Sequence, residues 1–223
     1  MTLRRRLEDA RLPVWLLGKS LTGWLRLCLA TTDWRVEGSE ALREDLSRGP
    51  VLYLLWHSRS LLGPAHWPSG AAPLTSLHAG SPIGRAGGVV QASFGLDAVQ
   101  MTGRRDGQSA NRLILSAARA GRSIGMVGDG PWGPARQLND AALSWATRLR
   151  RPVWAYAFST TRQRRANSWD RQLVPLPFGQ GAVVFRRLDL GAASGEAARA
   201  ALAAHLDGAA EAADRMVGLP PGP

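Results

Sequence analysis

Apolar positions recur at helical spacing over the first thirty residues. Val14, Leu17, Leu21, Trp24, Leu25 and Cys28 fall together, while Lys19, Thr22 and Arg26 share another side. Pro13 suits a first helical turn, so the segment 1–33 is predicted to carry an amphipathic helix. Lys19, Arg26, Gly18 and Gly23 interrupt its apolar run, which therefore falls short of the roughly 20 mostly apolar residues of a spanning helix. Two placements fit the pattern. One is the membrane interface, with Arg4–Arg6 toward anionic headgroups and Trp15 and Trp24 at the boundary; the other is the surface of the chain's own core.

Beyond this helix the pattern alternates. A short strand at Trp34–Val36 and a helix at Ser39–Leu46 come first. Val51–Leu55, Leu74–Leu77, Ala98–Gln100, Ile124–Val127, Val153–Phe158 and Ala182–Phe185 then read as strands, most of them apolar on both faces. Gly84–Ala92, Ser109–Ala120 and Asp140–Leu149 read as the helices between them, the second ended by Gly121. Ala198, Leu202, Leu206, Ala209, Ala213 and Met216 step by three or four and predict a closing helix. The sum is one α/β layered domain over 34–223, with a mostly parallel or mixed central sheet flanked by helices.

Composition narrows the classes. At 223 residues, with 45% hydrophobic and 20% charged residues, the chain is a globular single-domain length. One cysteine, Cys28, cannot form an internal disulfide, and no cleavable signal pattern follows Met1, so the cytoplasmic side is expected. The net charge of +11 is carried by arginine, Lys19 being the only lysine, and attracts anionic lipid or acidic carrier proteins. No helix-turn-helix, zinc or aromatic RNA-binding motif accompanies that charge, so nucleic acid is not an expected partner. The histidines His57, His66 and His78 show no metal-ligand spacing, and no metal is expected.

The chemistry-bearing residues sit at predicted strand ends. His57 follows the strand Val51–Leu55 with only Trp56 between, which puts it at a carboxyl edge where α/β sheets bind ligands. A histidine there can act as general base on a hydroxyl. Arg59, two residues on, shares its face if the segment is extended and would bind an acidic headgroup. Arg104 and Arg105 precede a helix whose N-terminus favours anions. Asp129-Gly130-Pro131-Trp132-Gly133-Pro134 follows another strand as a rigid turn able to hold Asp129 in one orientation. Ser168-Trp169-Asp170 is expected to fold a loop over the site, with Asp170 accepting hydrogen bonds.

Taken in order, Trp56-His57-Ser58-Arg59, the Asp129–Pro134 segment, Ser168-Trp169-Asp170 and Pro175-Leu176-Pro177-Phe178 resemble the lysophospholipid acyltransferase superfamily. The nearer likeness is to a bacterial branch of uncharacterised proteins that read W-H-x-R, D-G-P-x-G-P, S-W-D and P-x-P-F. The likeness spans roughly residues 34–187. It implies a peripheral O-acyltransferase on the cytoplasmic face of the inner (plasma) membrane. Such an enzyme moves an acyl chain from coenzyme A or acyl carrier protein to a lysophospholipid or glycolipid hydroxyl, with acyl-CoA or acyl-ACP as co-substrate and no bound cofactor. In that reading His57 is the base, Asp129 its polar support, and Arg59, Arg104, Arg105, Gly130, Pro131 and Asp170 contact substrate.

The chain departs from that pattern in several places. The superfamily orients its histidine with an acid five residues on, where this chain has Leu62, and Ser76–Pro82 carries no carboxylate where the branch has D-G-E. Trp132 stands where the branch has arginine, and Leu138-Asn139-Asp140 replaces its K-P-G. Asp129 or Asp170 could supply the orienting acid through space, and Asp129 is the expected nearest one. The same departures suit a second reading, a lipid-binding or assembly protein that has kept the fold and lost the chemistry.

Overall fold

The computed structural model describes residues 11–70, 72–101, 107–220 and 222. Its helices are α1 (Arg11–Thr31), α2 (Ser39–Arg48), α3 (Gly63–His66), α4 (Pro82–Ser93), α5 (Gly107–Arg119), α6 (Asp140–Leu149) and α7 (Gly195–Met216). The strands are β1 (Asp33–Glu37), β2 (Leu52–Leu55), β3 (Leu74–His78), β4 (Asp97–Gln100), β5 (Ser123–Val127), β6 (Val153–Thr160), β7 (Gln163–Arg165), β8 (Leu173–Pro175) and β9 (Gln180–Leu188). Seven of them form one sheet in the order β1-β9-β6-β2-β5-β3-β4. β2 to β6 run parallel; β9 lies antiparallel to β6 and carries β1 parallel to itself. The mostly parallel sheet flanked by helices is the α/β layered domain that the alternating pattern predicts.

Strand periodicity divides the core into two layers. Leu52, Leu54 and Trp56 face the side covered by α5, α6 and α7, as do Ala155, Ala157 and Ala182. Val51, Tyr53 and Leu55, with Trp154, Tyr156 and Phe158, face the other side, where Leu25, Leu42, Trp67 and Val90 pack. Successive residues of a strand point to opposite faces, so a sheet covered on both sides is apolar at every position. All four residues of β2 and all eight of β6 are buried accordingly.

Local caps set several helix starts. Ser81 Oγ accepts from the Gly84 backbone N–H, starting α4 at Pro82 rather than at Gly84, and Asn139 Oδ1 accepts from Ala142 N–H at the start of α6. The short α3 and the small β7–β8 pair lie outside the predicted elements. The latter brackets the segment Ser168–Asp170.

α1 differs from expectation in which face it buries. Val14, Gly18, Thr22, Leu25 and Cys28 are the buried stripe, with Gly18 set so closely on α4 that a Cβ would lie 2.5 Å from the Val89 side chain. Thr22, expected on the polar side, is buried because its hydroxyl donates to the Gly18 carbonyl at 2.7 Å, which spares it an unpaired group. Lys19 and Arg26 reach Ser93 at the end of α4. A second apolar stripe, including Leu12, Leu16, Trp24 and Leu27, stays exposed, and exposed Phe178 hangs beside it, its N–H donating to Thr31 Oγ1. Among the described residues no helix is long and apolar enough to cross a membrane.

Candidate functional site

β2 and β5 are neighbours in the middle of the sheet, and their carboxyl ends carry the two segments singled out in the sequence. Past β2 the chain turns at once into a single 3₁₀ turn, His57–Arg59, closed by Arg59 N–H to the Trp56 carbonyl and Ser60 N–H to the His57 carbonyl. Past β5, Gly128 N–H still pairs with the Leu55 carbonyl at 2.8 Å, and the next residue is Asp129. The two strand ends are therefore held in register where the chemistry begins.

Asp129 is buried, and its carboxylate joins the two ends. Oδ1 accepts from the His57 backbone N–H at 2.8 Å and Oδ2 from the Arg136 backbone N–H at 3.1 Å. Burial pushes its pKa up, and the main-chain donors of His57 and Arg136 only partly offset this. Asp129 is thus a clamp on the turn, and the expectation that it would be the acid nearest the imidazole is corrected. Its side chain is consumed by two backbone donors on opposite sides.

The imidazole's partner is Asp170. His57 Nδ1 lies 2.7 Å from Asp170 Oδ2, and Asp170 Oδ1 accepts from Ser168 Oγ at 2.5 Å. Asp170 is 3% exposed. Burial alone would raise its pKa, but the hydrogen bonds from His57 and Ser168 and the histidine's charge outweigh that and hold it below the usual carboxylate range. A carboxylate on Nδ1 fixes the tautomer with its proton there and leaves Nε2 with a lone pair. The His57 side chain is 33% exposed. Asp170, expected to contact substrate, instead has its carboxylate against the His57 ring.

The loop carrying Asp170 is fixed by several contacts. β7 and β8 pair antiparallel at its base. Gln172 Nε2 donates to the Ser58 carbonyl at 2.9 Å, and Ser60 Oγ donates to Gln172 Oε1. Trp169 lies with its ring 5.2 Å from that of His57 and packs on Gly133, where a Cβ would come within 2.5 Å of the indole. Gly133 has φ +71° as well, so a side chain is excluded there twice over. Gly130 is buried with φ +65°, and it and half-buried Pro131 shape the turn above Asp129. Trp132 at its tip is 60% exposed.

Arg59 is not a headgroup ligand. Its guanidinium is fully buried, donating from Nη1 and Nη2 to Asp214 at 2.8 and 2.7 Å and from Nη1 to the Phe158 carbonyl at 3.0 Å. The expectation assumed an extended segment. A 3₁₀ turn advances about 120° per residue, so a side chain two positions on from His57 points elsewhere. Arg104 and Arg105 lie outside the described residues. Asp214 was not anticipated as a partner, although a carboxylate beside the apolar stripe of Ala209, Ala213 and Met216 signals a buried countercharge.

His66 and His78 are held by local partners. His66 Nδ1 meets Tyr156 OH at 2.8 Å, and burial lowers its pKa to about 3; His78 Nδ1 meets the Ala79 carbonyl. Among the described residues no three His, Cys, Asp or Glu side chains converge as metal ligands do. Behind the His57 turn, Leu55, Ser60, Val127 and Leu77 help line a cavity of about 60 Å³.

No family model matches the chain. A protein of Rickettsia prowazekii (strain Madrid E), itself described only as uncharacterised, is 27% identical over 134 residues, which is 60% of this chain. The chain spans 61% of that relative's length.

Proposed function

We propose that the protein is a membrane-peripheral O-acyltransferase that uses His57 as general base and Asp170 to orient it. The observation that carries this reading is the 2.7 Å contact of His57 Nδ1 with a buried carboxylate, at the carboxyl edge of a parallel sheet. Nε2 takes the proton of an acceptor hydroxyl as its oxygen attacks the carbonyl carbon of an acyl thioester. The tetrahedral adduct then collapses, the carbon–sulfur bond breaks, and the imidazolium returns its proton to the departing thiolate. Ester and thiol are the products, and no covalent enzyme intermediate is needed. Coenzyme A or acyl carrier protein would bring the acyl group, and a lysophospholipid or glycolipid would supply the hydroxyl.

The exposed stripe Leu12, Leu16, Trp24 and Leu27, with Phe178 beside it, supports docking on an anionic membrane surface at the cytoplasmic face of the inner membrane. The second reading, a lipid-binding or assembly protein without chemistry, drew on the altered Arg and Lys positions and on the missing acid after His57. Asp170 supplies that acid from 113 residues away. Purified protein with an acyl-CoA and a lysophospholipid should lose transfer on His57→Ala. It should lose roughly 10³–10⁴-fold in kcat on Asp170→Asn, which keeps the shape and spoils the tautomer. Either variant acting within twofold of the parent would remove the mechanism.

A further inference from the structure

The cavity behind the His57 turn has a mostly apolar wall that carries two unpaired polar atoms. It lies between the sheet and α4, bordered by Leu55 and Leu74 on the strands and by Leu96 just after the helix. Ser60, which closes the His57 turn, borders it as well. Gly125 of β5, the register partner of Ser76 on β3, faces the space and puts no side chain into it.

Ser76 is 7% exposed, and its Oγ has no hydrogen-bond partner among the described residues. Gln91 Oε1, on α4, is buried and unpartnered too. Both residues line the cavity. Other hydroxyls there are used: Ser60 Oγ donates to Gln172 Oε1, and Tyr53 OH donates to the Gly63 carbonyl. A buried polar atom left without a partner costs stability, so its presence calls for a reason. An apolar cavity of about 150 Å³ holds benzene. At about 60 Å³ this one takes roughly two or three non-hydrogen atoms, too few for an acyl tail and enough for a carbon that bears a hydroxyl. A hydroxyl both donates and accepts, so it suits the Gln91 oxygen, which only accepts, and the Ser76 hydroxyl, which does either.

We propose that this cavity is a subsite for a hydroxyl group carried on an alkyl chain, with Gln91 accepting from that hydroxyl and Ser76 donating to it. Leu55, Leu74 and Leu96 hold the carbons beside it. A plain methylene leaves both polar atoms unpaired, so the site favours the hydroxylated chain over its unsubstituted analogue. The hydroxyl belongs either to the acyl donor or to the acceptor lipid. Only this choice of molecule rests on the acyltransferase reading; hydroxyl binding does not.

Calorimetric titration of the full chain tests this without turnover. One pair of probes is 3-hydroxyoctanoate against octanoate; the other is octylglycerol against its analogue without the middle hydroxyl. At least one hydroxylated probe should bind about fivefold or more tighter than its analogue. Preference confined to the first pair assigns the hydroxyl to the donor chain, and preference confined to the second assigns it to the acceptor. Ser76→Ala combined with Gln91→Leu should bring the preference below about twofold. Because that variant removes two unpaired buried groups, the Tm of the ligand-free protein should rise by about 1 °C or more. No preference in either pair overturns the subsite, as does a preference that survives both substitutions. A lower Tm in the double variant means that ordered water already satisfies the two groups, which overturns it as well. Hydroxyl preference in a protein that transfers no acyl group would sink the proposed activity and leave the subsite standing; acyl transfer with no preference in either pair would do the reverse.

Discussion

Asp214→Asn separates a structural arginine from a substrate-binding one. Arg59 and Asp214 are 0% and 1% exposed and share two charge-assisted bonds at 2.8 and 2.7 Å. Ser159 Oγ at 2.6 Å and Gly222 N–H at 3.0 Å complete the carboxylate's shell. Burial pushes the Asp214 pKa up, but the hydrogen bond and charge of Arg59, with Ser159, hold it below the usual range. Asparagine keeps the volume, turns one acceptor into a donor facing a donor, and leaves the guanidinium as a buried charge without a counterion. Breaking a buried pair from one side costs about 3–5 kcal/mol. That is a large fraction of the roughly 5–15 kcal/mol that holds a domain folded. At about 2–4 °C per kcal/mol for a chain of this size, Tm should fall by some 6–20 °C. Urea unfolding and calorimetry at pH 7 would measure it, and 1 M salt should change the loss little because the pair is shielded from solvent ions. Replacing both partners by apolar residues, Arg59→Met with Asp214→Leu, should recover most of the stability, since it removes both buried charges. A cost below about 1 kcal/mol for Asp214→Asn would refute the reasoning, as would a double variant less stable than the single. A headgroup-binding Arg59 would instead change KM on substitution with stability untouched.

His66 adds a pH dependence of a definite sign. Its pKa is lowered to about 3 by burial, so the unfolded chain takes up a proton below about 6.5 that the folded chain refuses. Stability should therefore fall as pH drops from 6.5 toward 3, by up to about 1.4 kcal/mol per pH unit and about 2 kcal/mol between pH 7 and 5. His66→Gln should flatten that part of the urea-derived profile, and an unchanged slope would count against it. For the membrane face, Leu16→Glu with Leu27→Glu should cut binding to phosphatidylglycerol vesicles tenfold or more in a sedimentation assay, each change removing about 1.5–3 kcal/mol of burial. Equal partitioning of variant and parent would exclude this stripe as the contact surface.

The layered fold was legible because strands buried on both faces leave an unbroken apolar signature, as in Val51–Leu55 and Val153–Phe158, and caps such as Gly121 punctuate the helices. The position of His57 was legible as well, since it follows an unbroken apolar run with only Trp56 between. The buried stripe of α1 was not. Apolar residues run round most of that helix, so periodicity could not tell which stripe packs on α4; Gly18, the one position where the helix backbone can approach Val89, decided it.

Sequence alone settled what is short-range: which residues alternate, which turn needs glycine, and that His57 ends a buried strand. Tertiary structure decided the partnerships: Asp170 rather than Asp129 beside the imidazole, and Asp214 beneath Arg59, across separations of 113 and 155 residues. The physical reason is that a side chain's direction is lost once it leaves a regular element. A 3₁₀ turn after β2 sent Arg59 inward, and pairing of β7 with β8 carried Asp170 to His57; no period in the chain encodes either turn of the path.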